Sequence, residues 1–361
     1  MKEKISSIQL AFLVINFTIG SALIFLPSSI VNHSKQDGWI SAILSSLIGA
    51  VFAFIIVSLI KRFPNKNFME ILEFLLGKWF GRLIGLFYSW FFIHLAALVL
   101  RNGVEFVKIN FMPNTPMAVF SLAFGIIILY TSLSGIEVIS RVNDIILPIS
   151  LIGIWLTIIL MLPIIEPDKI SPILANGIKP ILRGTYPALG FPFAELVIFT
   201  MIIPFVNKQK NITKIFVGSQ LFAGITLFFI VLITIMVLNI YPTEISLFAP
   251  FNVARLISIG DFLSRLEILI SMSFIISIGT KLTISFYAGT LAIAQVFQLM
   301  DYRSIIIPLV IITVSFSFLL EEDIAEVISF ASTTWTPYSF LIGVLIPLLL
   351  LGISFIKNDK S

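Results

Sequence analysis

The chain has 361 residues and a mean hydropathy of +1.08, with 58% hydrophobic and only 12% charged residues, which excludes a soluble globule. The net charge is +4, but no basic run is long enough to suggest nucleic-acid binding. The absence of cysteine excludes disulfides, thiolate metal sites and thiol lipidation, without fixing a compartment.

Apolar runs of about 20 residues cross a bilayer, and such runs recur along the whole chain. The first, 8–30, is interrupted near its middle at Asn16-Phe17-Thr18-Ile19-Gly20-Ser21. It is too long and too polar at its centre for a cleaved signal peptide, and it lacks a small-residue cleavage site. The second is 39–60. The loop after it, 67–77, opens with Asn67, has Glu70 three residues on and closes on Gly77, which predicts a short capped helix. On the third span, 83–109, Phe91, His94, Leu98, Arg101, Glu105 and Lys108 form one helical stripe. Arg101 and Glu105 are four apart and can pair on the helix itself. Gly81 and Gly85, at its start, fit a helix-dimer spacing that is weak on its own.

The fourth and fifth spans are 117–133 and 145–162, followed by a proline-rich stretch to residue 184. The sixth, 185–205, is interrupted at Gly190-Phe191-Pro192-Phe193, just before Glu195. The seventh is 215–238, and the loop piece 250–260 reads as a second amphipathic helix. The eighth, 266–297, carries Lys281 on a face with Ser273, Ser277 and Thr280. The ninth is 305–320. An acidic run, Glu321-Glu322-Asp323-Ile324-Ala325-Glu326, reads as solvated surface or as a partner-docking face. The tenth span is 337–356.

These spans predict an all-α integral membrane protein of ten transmembrane helices, with little chain left for a soluble domain. They divide into five plus five, residues 8–163 and 185–356, joined by an external linker at 164–184. An odd number of spans per half inverts the second half relative to the first, and amphipathic pieces on opposite sides agree with that. With the N-terminus inside, Lys35, Lys169, Lys179, Arg183, Arg255 and Arg265 fall outside, while most other Lys and Arg fall inside. The positive-inside rule therefore predicts that both termini are cytoplasmic.

Irregular backbone at membrane depth must be buried in protein or line a cavity. Paired interruptions in corresponding spans point to a small-ligand site near the midplane. Rise per residue places Gly20, His94, Glu195 and Lys281 near that depth. Gly20 either opens the backbone to a ligand carboxylate or permits close helix packing. Glu195 either receives a ligand ammonium or ties the interrupted backbone to a neighbour. Lys281 either serves proton coupling or forms a salt bridge with Glu195 or Glu105. Phe91 is a candidate wall for a ligand side chain, and His94 is a ligand contact, a proton carrier or a packing residue. The candidate ligand-binding set is Thr18, Gly20, Ser21, Phe91, Gly190, Phe193, Glu195, Thr280 and Phe340. His94, Arg101, Glu105 and Lys281 are candidates for coupling or gating. No metal or cofactor is expected, and no nucleophile sits beside a base, so nothing points to an enzyme.

The ordered set Asn16 to Gly20, Leu26-Pro27, Asp37-Gly38-Trp39-Ile40, Leu76-Gly77-Lys78-Trp79, Arg101-x-x-x-Glu105-x-x-Lys108 and Gly190 to Glu195 resembles the spore-germination permeases. These are the GerAB-type B subunits of nutrient germinant receptors, within the amino acid–polyamine–organocation superfamily. The resemblance covers essentially the whole chain. It departs from the family at the sixth span, where Phe-Pro-Phe-Ala separates Gly190 from Glu195 and many relatives have a shorter, glycine-richer break. It implies a LeuT-like five-plus-five fold with broken first and sixth spans, in which Lys281 stands where ion-coupled relatives hold sodium. It further implies a protein of the spore inner membrane that recognises a nutrient, often an amino acid, beside an A-type membrane subunit and a C-type lipoprotein. The alternative is an amino acid transporter working by alternating access, driven by protons through Lys281, Glu195 or His94.

Overall fold

A computed structural model describes residues 3–64, 66–207, 211–256, 266–320 and 330–357, and they are helical almost throughout. Among the described residues, seven helices are long and apolar enough to cross a membrane: Ala22–Lys61, Lys78–Asn110, Met117–Ile164, Ile212–Leu238, Glu267–Val296, Tyr302–Leu319 and Thr333–Ile356. The chain is a multi-pass membrane protein. Two of these runs, of 40 and 48 residues, exceed what one crossing needs. The region of the sixth predicted span is absent from the seven because it is built of short pieces.

The first span forms two helices, α1 (Ser7–Ile19) and α2 (Ala22–Ser34). Ser6 and Gln9 cap α1 reciprocally, satisfying two orphan amides. Asn16 to Ile19 remain helical, so the interruption is confined to Gly20 and Ser21, a tighter break than the composition of 16–21 suggests. The second span is α3 (Gly38–Lys61). The loop after it forms α4 (Phe68–Leu76) with the expected cap: Asn67 accepts from Glu70 N–H, Glu70 accepts from Asn67 N–H, and Gly77 ends the helix. The third span is α5 (Lys78–Asn110). Gly81 and Gly85 are consumed within the chain. A Cβ at Gly81 would lie 2.6 Å from the Glu73 backbone, and one at Gly85 would lie 2.8 Å from Val296. Their spacing serves packing of α4 and the helix carrying Val296, so it needs no second copy.

The fourth and fifth spans run together as α6 (Met117–Met161), bent at Gly135, whose φ of 84° favours glycine. The fifth helix therefore begins at Ile136, nine residues before the expected start. Its polar first turns, which read as loop, are paired instead: Arg141 bonds Glu137, and Asn143 is buried. Glu3 occupies the space a Gly135 side chain would take and accepts the Ile136 N–H at 2.8 Å. Ile5 pairs with the backbone of Phe205 and Asn207 at 3.0 Å each, an isolated parallel bridge that ties the residues before α1 to the segment after the second break.

The linker is also shorter than expected. Helix α7 (Ile178–Ala188) starts inside it, with Pro180 in the first turn, where no N–H is needed. The backbone then breaks at Phe191 (φ −140°, ψ 112°) and resumes as a 3-10 stretch, Ala194–Met201. Next come α8 (Ile212–Leu238), α9 (Ile240–Ile245) and α10 (Ala249–Arg255). The piece expected at 250–260 is thus helical to Arg255 and turns at Leu256, and residues 257–260 lie outside the described residues. So do Lys2, Lys208, Lys210, Arg265 and Lys360 of the charge argument, and the acidic run 321–326. Helices α11 (Glu267–Val296), α12 (Ile306–Leu319), α13 (Thr336–Phe340) and α14 (Ile346–Ile356) complete the chain.

Burial separates the centre from the rim. In their most apolar windows α5 is 72% buried and α11 67%, against 39% for Met117–Ile164. α5 and α11 therefore form the spine, and α6 presents its apolar surface outward. Small residues permit the closest crossings: a Cβ at Gly224 on α8 would overlap the Ser46 hydroxyl on α3. Gly224→Leu is expected to force α3 and α8 apart and lower the yield of monodisperse protein in detergent, whereas Gly218→Leu, at a site with no neighbour in reach, should leave it unchanged.

Candidate functional site

The two interruptions meet at Lys281. This α11 side chain is fully buried, as is Glu195, which follows the second break. Their charged atoms, Lys281 Nζ and Glu195 Oε2, lie 2.5 Å apart. The ammonium also donates to Ser21 Oγ at 3.0 Å, in the first break. The rings of Phe17 and Phe191 approach it at 5.2 and 5.0 Å, one from each interrupted span. The second carboxylate oxygen accepts the Trp335 indole N–H at 2.9 Å. A chain of contacts thus runs Ser21, Lys281, Glu195, Trp335 through the interior.

A cavity of about 290 Å³ opens beside this chain, at the low end of ligand-pocket volumes. Ser21, Phe191, Glu195 and Trp335 are among its lining residues. Phe25, Leu95, Leu98 and Val99 give it apolar sides, and Asn32, Asn102 and Glu244 line it toward the end of α2. Lys281 lies just behind Ser21 and Glu195. A second cavity, about 890 Å³, enters from the opposite end between Glu3, Phe205, Tyr287 and Arg303.

Of the candidate ligand residues, Ser21 and Glu195 line the first cavity. Gly20 packs on Lys281: a Cβ there would lie 2.7 Å from Lys281 Cδ. Thr18 donates back to Val14 O at 2.7 Å. Thr280 accepts from Asn16 at 2.9 Å, and Asn16 also donates to Asn143 at 2.7 Å. Gly190 packs on the Thr336 backbone. Phe193 and Phe340 belong to a separate apolar cluster with Phe52. Phe91 is stacked on Trp335 at 5.4 Å and 11°, so it backs the wall instead of forming it.

Lys281 takes Glu195 as its partner, not Glu105. Glu105 is held by Arg101 at 2.9 Å, and Arg101 also donates to Ser317 O at 3.3 Å, tying α5 to α12. His94 sits among the rings of Trp90, Phe316, Phe330, Trp335 and Tyr338, all within 5.5 to 5.9 Å. Its two nitrogens have no hydrogen-bond partner among the described residues. Sequence reasoning missed Trp335. The tenth span was expected to begin at 337, which left this residue in a loop, although a tryptophan beside a membrane span is itself a signal.

The family described as "Spore germination protein" matches residues 4–325. Spore germination protein KB of Bacillus subtilis is 29% identical over 300 residues, covering 82% of this chain and 80% of its own length. Spore germination protein A2 of the same organism is 26% identical and covers 98% of this chain and 96% of its own length. Among solved structures, MhsT in complex with L-phenylalanine aligns with a TM-score of 0.67 at 13% identity, over 99% of this chain and 100% of that one. Mhp1, a nucleobase–cation symport transporter in a closed conformation with bromovinylhydantoin bound, aligns at 0.62 and 15% over 99% of this chain and 91% of that one. At such identities the likeness is one of fold.

Removing one partner of a buried ion pair strands the other charge, at a cost of about 3–5 kcal/mol. Glu195→Gln and Lys281→Met are each expected to lower the melting temperature of the purified protein. The double substitution should lower it by less than the sum, and strict additivity in that cycle would show that the two charges do not interact.

Proposed function

The chain belongs to the spore germination protein family, and from that premise we propose that it is the B-type membrane subunit of a nutrient germinant receptor, binding an amino acid between its two broken spans. The observation that carries this reading is that Ser21 and Glu195, one from each interruption, line one cavity and both contact Lys281. A ligand with a single charge entering there would leave either Glu195 or Lys281 unbalanced. A zwitterion brings one charge of each sign: its ammonium meets Glu195, and its carboxylate meets Ser21 and Lys281. The amides exposed at a half-helix start favour the same carboxylate.

In this reading the chain makes ten crossings in two inverted sets of five, with both termini in the cytoplasm and the protein in the spore inner membrane. Ligand binding shifts populations among conformations by its differential affinity for them. The shift passes to an A-type membrane subunit and a C-type lipoprotein in place of a completed transport cycle.

A second reading, an amino acid transporter, draws on the presence of two cavities, one lined by Glu195 and the other lined by Glu3, Tyr287 and Arg303. Alternating access would then exchange which cavity reaches the site, with a proton carried by Lys281, Glu195 or His94.

The two readings differ in accumulation. A receptor subunit in nanodiscs is expected to bind radiolabelled L-amino acids saturably, yet sealed vesicles containing it should accumulate none, with or without a proton gradient. Gradient-driven uptake lost in Lys281→Ala would establish the transporter instead. Gly20→Leu places a side chain against Lys281 and the Phe17 carbonyl. It should abolish the nutrient response of spores while the protein stays in the membrane; a normal dose response would place the site elsewhere.

A further inference from the structure

Trp335 stands where the cavity wall meets the buried ion pair. It is 3% exposed, lines the cavity, and donates its indole N–H to Glu195. Its ring cannot turn independently, because Phe91 stacks on it while Tyr338 and His94 meet it near right angles at 5.5 and 5.7 Å. Helix α13 begins at the next residue. The indole is therefore joined on one side to a carboxylate at the cavity and on the other to α5 and the last helical segment.

Two donors share the Glu195 carboxylate, the neutral indole and the Lys281 ammonium. A cationic group arriving in the cavity competes with both. The contact between Lys281 and Glu195 joins two full charges, both buried, so breaking it is the more costly loss even where a ligand carboxylate also reaches the ammonium. Releasing the indole gives up one hydrogen bond to a charged group, worth about 1.5–3 kcal/mol. The less costly rearrangement is release of Trp335.

We propose that Trp335 is a positioning residue that reports occupancy of the cavity: a ligand ammonium displaces its indole from Glu195, and the freed ring carries the change into α5 and α13. This rests on the function proposed above for the cavity. It distinguishes two roles within one wall. Glu195 holds the ligand, whereas Trp335 opposes it and converts its arrival into movement. Removing the indole donor while keeping an aromatic ring should therefore spare binding and impair the response.

The full chain carries five tryptophans, so nitrogen-15 tryptophan labelling in nanodiscs yields few indole resonances, and Trp335→Phe assigns the one of interest. Without ligand, that resonance in Lys281→Gln should move from its wild-type position, because the two donors share a carboxylate; an unmoved resonance overturns the proposal. A mixture of L-amino acids, with binding checked by equilibrium dialysis, should move the wild-type resonance toward its position in Glu195→Gln. Binding without that movement also overturns it. If the mixture does not bind, the amino acid reading of the cavity fails, and the Lys281→Gln comparison alone decides the role of Trp335. In spores, Trp335→Phe should raise the half-maximal nutrient concentration about tenfold while affinity in nanodiscs stays within about threefold or tightens, an uncoupling of site and response. Equal losses of affinity and response would make the indole a wall contact only and refute the relay.

Discussion

The fully buried ammonium of Lys281 must be neutralised where neither water nor lipid can do it, and the centre of the molecule is arranged around that requirement. An isolated buried charge costs several kcal/mol. The compensation is spread over three elements: the Glu195 carboxylate, the Ser21 hydroxyl and two aromatic faces. Each comes from beside a backbone interruption, while Lys281 stands on the unbroken α11. The pair therefore fastens both irregular segments to one of the two most buried helices of the bundle.

The interruptions in turn need their freed backbone groups satisfied. The first stays small, with the Gly20 N–H bonded to Asn16 O and the Ser21 carbonyl accepting from Phe25 N–H at 3.3 Å. Around it runs a polar seam. Asn16 joins Asn143 and Thr280, and Ser150 joins Ser277 at 3.0 Å, linking α1, α6 and α11. Between apolar helices such bonds and small-residue packing supply association that the hydrophobic effect does not. The other side of the site is held differently. There Phe91, Trp335, Tyr338 and His94 pack ring against ring, with Trp335 and Glu195 as the polar link. The surroundings of the first interruption are thus tied by hydrogen bonds, and those of Trp335 by aromatic contact.

Much of this is legible in the sequence. The cap of α4 follows from Asn67, Glu70 and Gly77, because capping chemistry is local. The Arg101–Glu105 pair follows from a spacing of four on one helix. The break at Gly20 and the irregular backbone at Phe191 lie within the interruptions that Gly, Pro and polar residues mark in otherwise apolar runs. The helix starts at Ile136 and Ile178 were not legible. Their first turns carry charge and proline that read as loop, and they are helical because Glu3 caps one and the bundle packs on the other.

Hydropathy and spacing by themselves determined that the chain is helical, that it lies in a membrane, where its backbone is interrupted and which charges within apolar runs need explaining. Each of these depends on residues within one apolar run of about 20. Only the tertiary structure decided that Lys281 pairs with Glu195 and not Glu105, that Phe91 lies behind the cavity wall, and that Trp335 closes it. Trp335 and Glu195 are 140 positions apart, and no local period relates them. Their meeting is set by how helices cross, and a buried charge accepts whichever partner that crossing brings within hydrogen-bond reach.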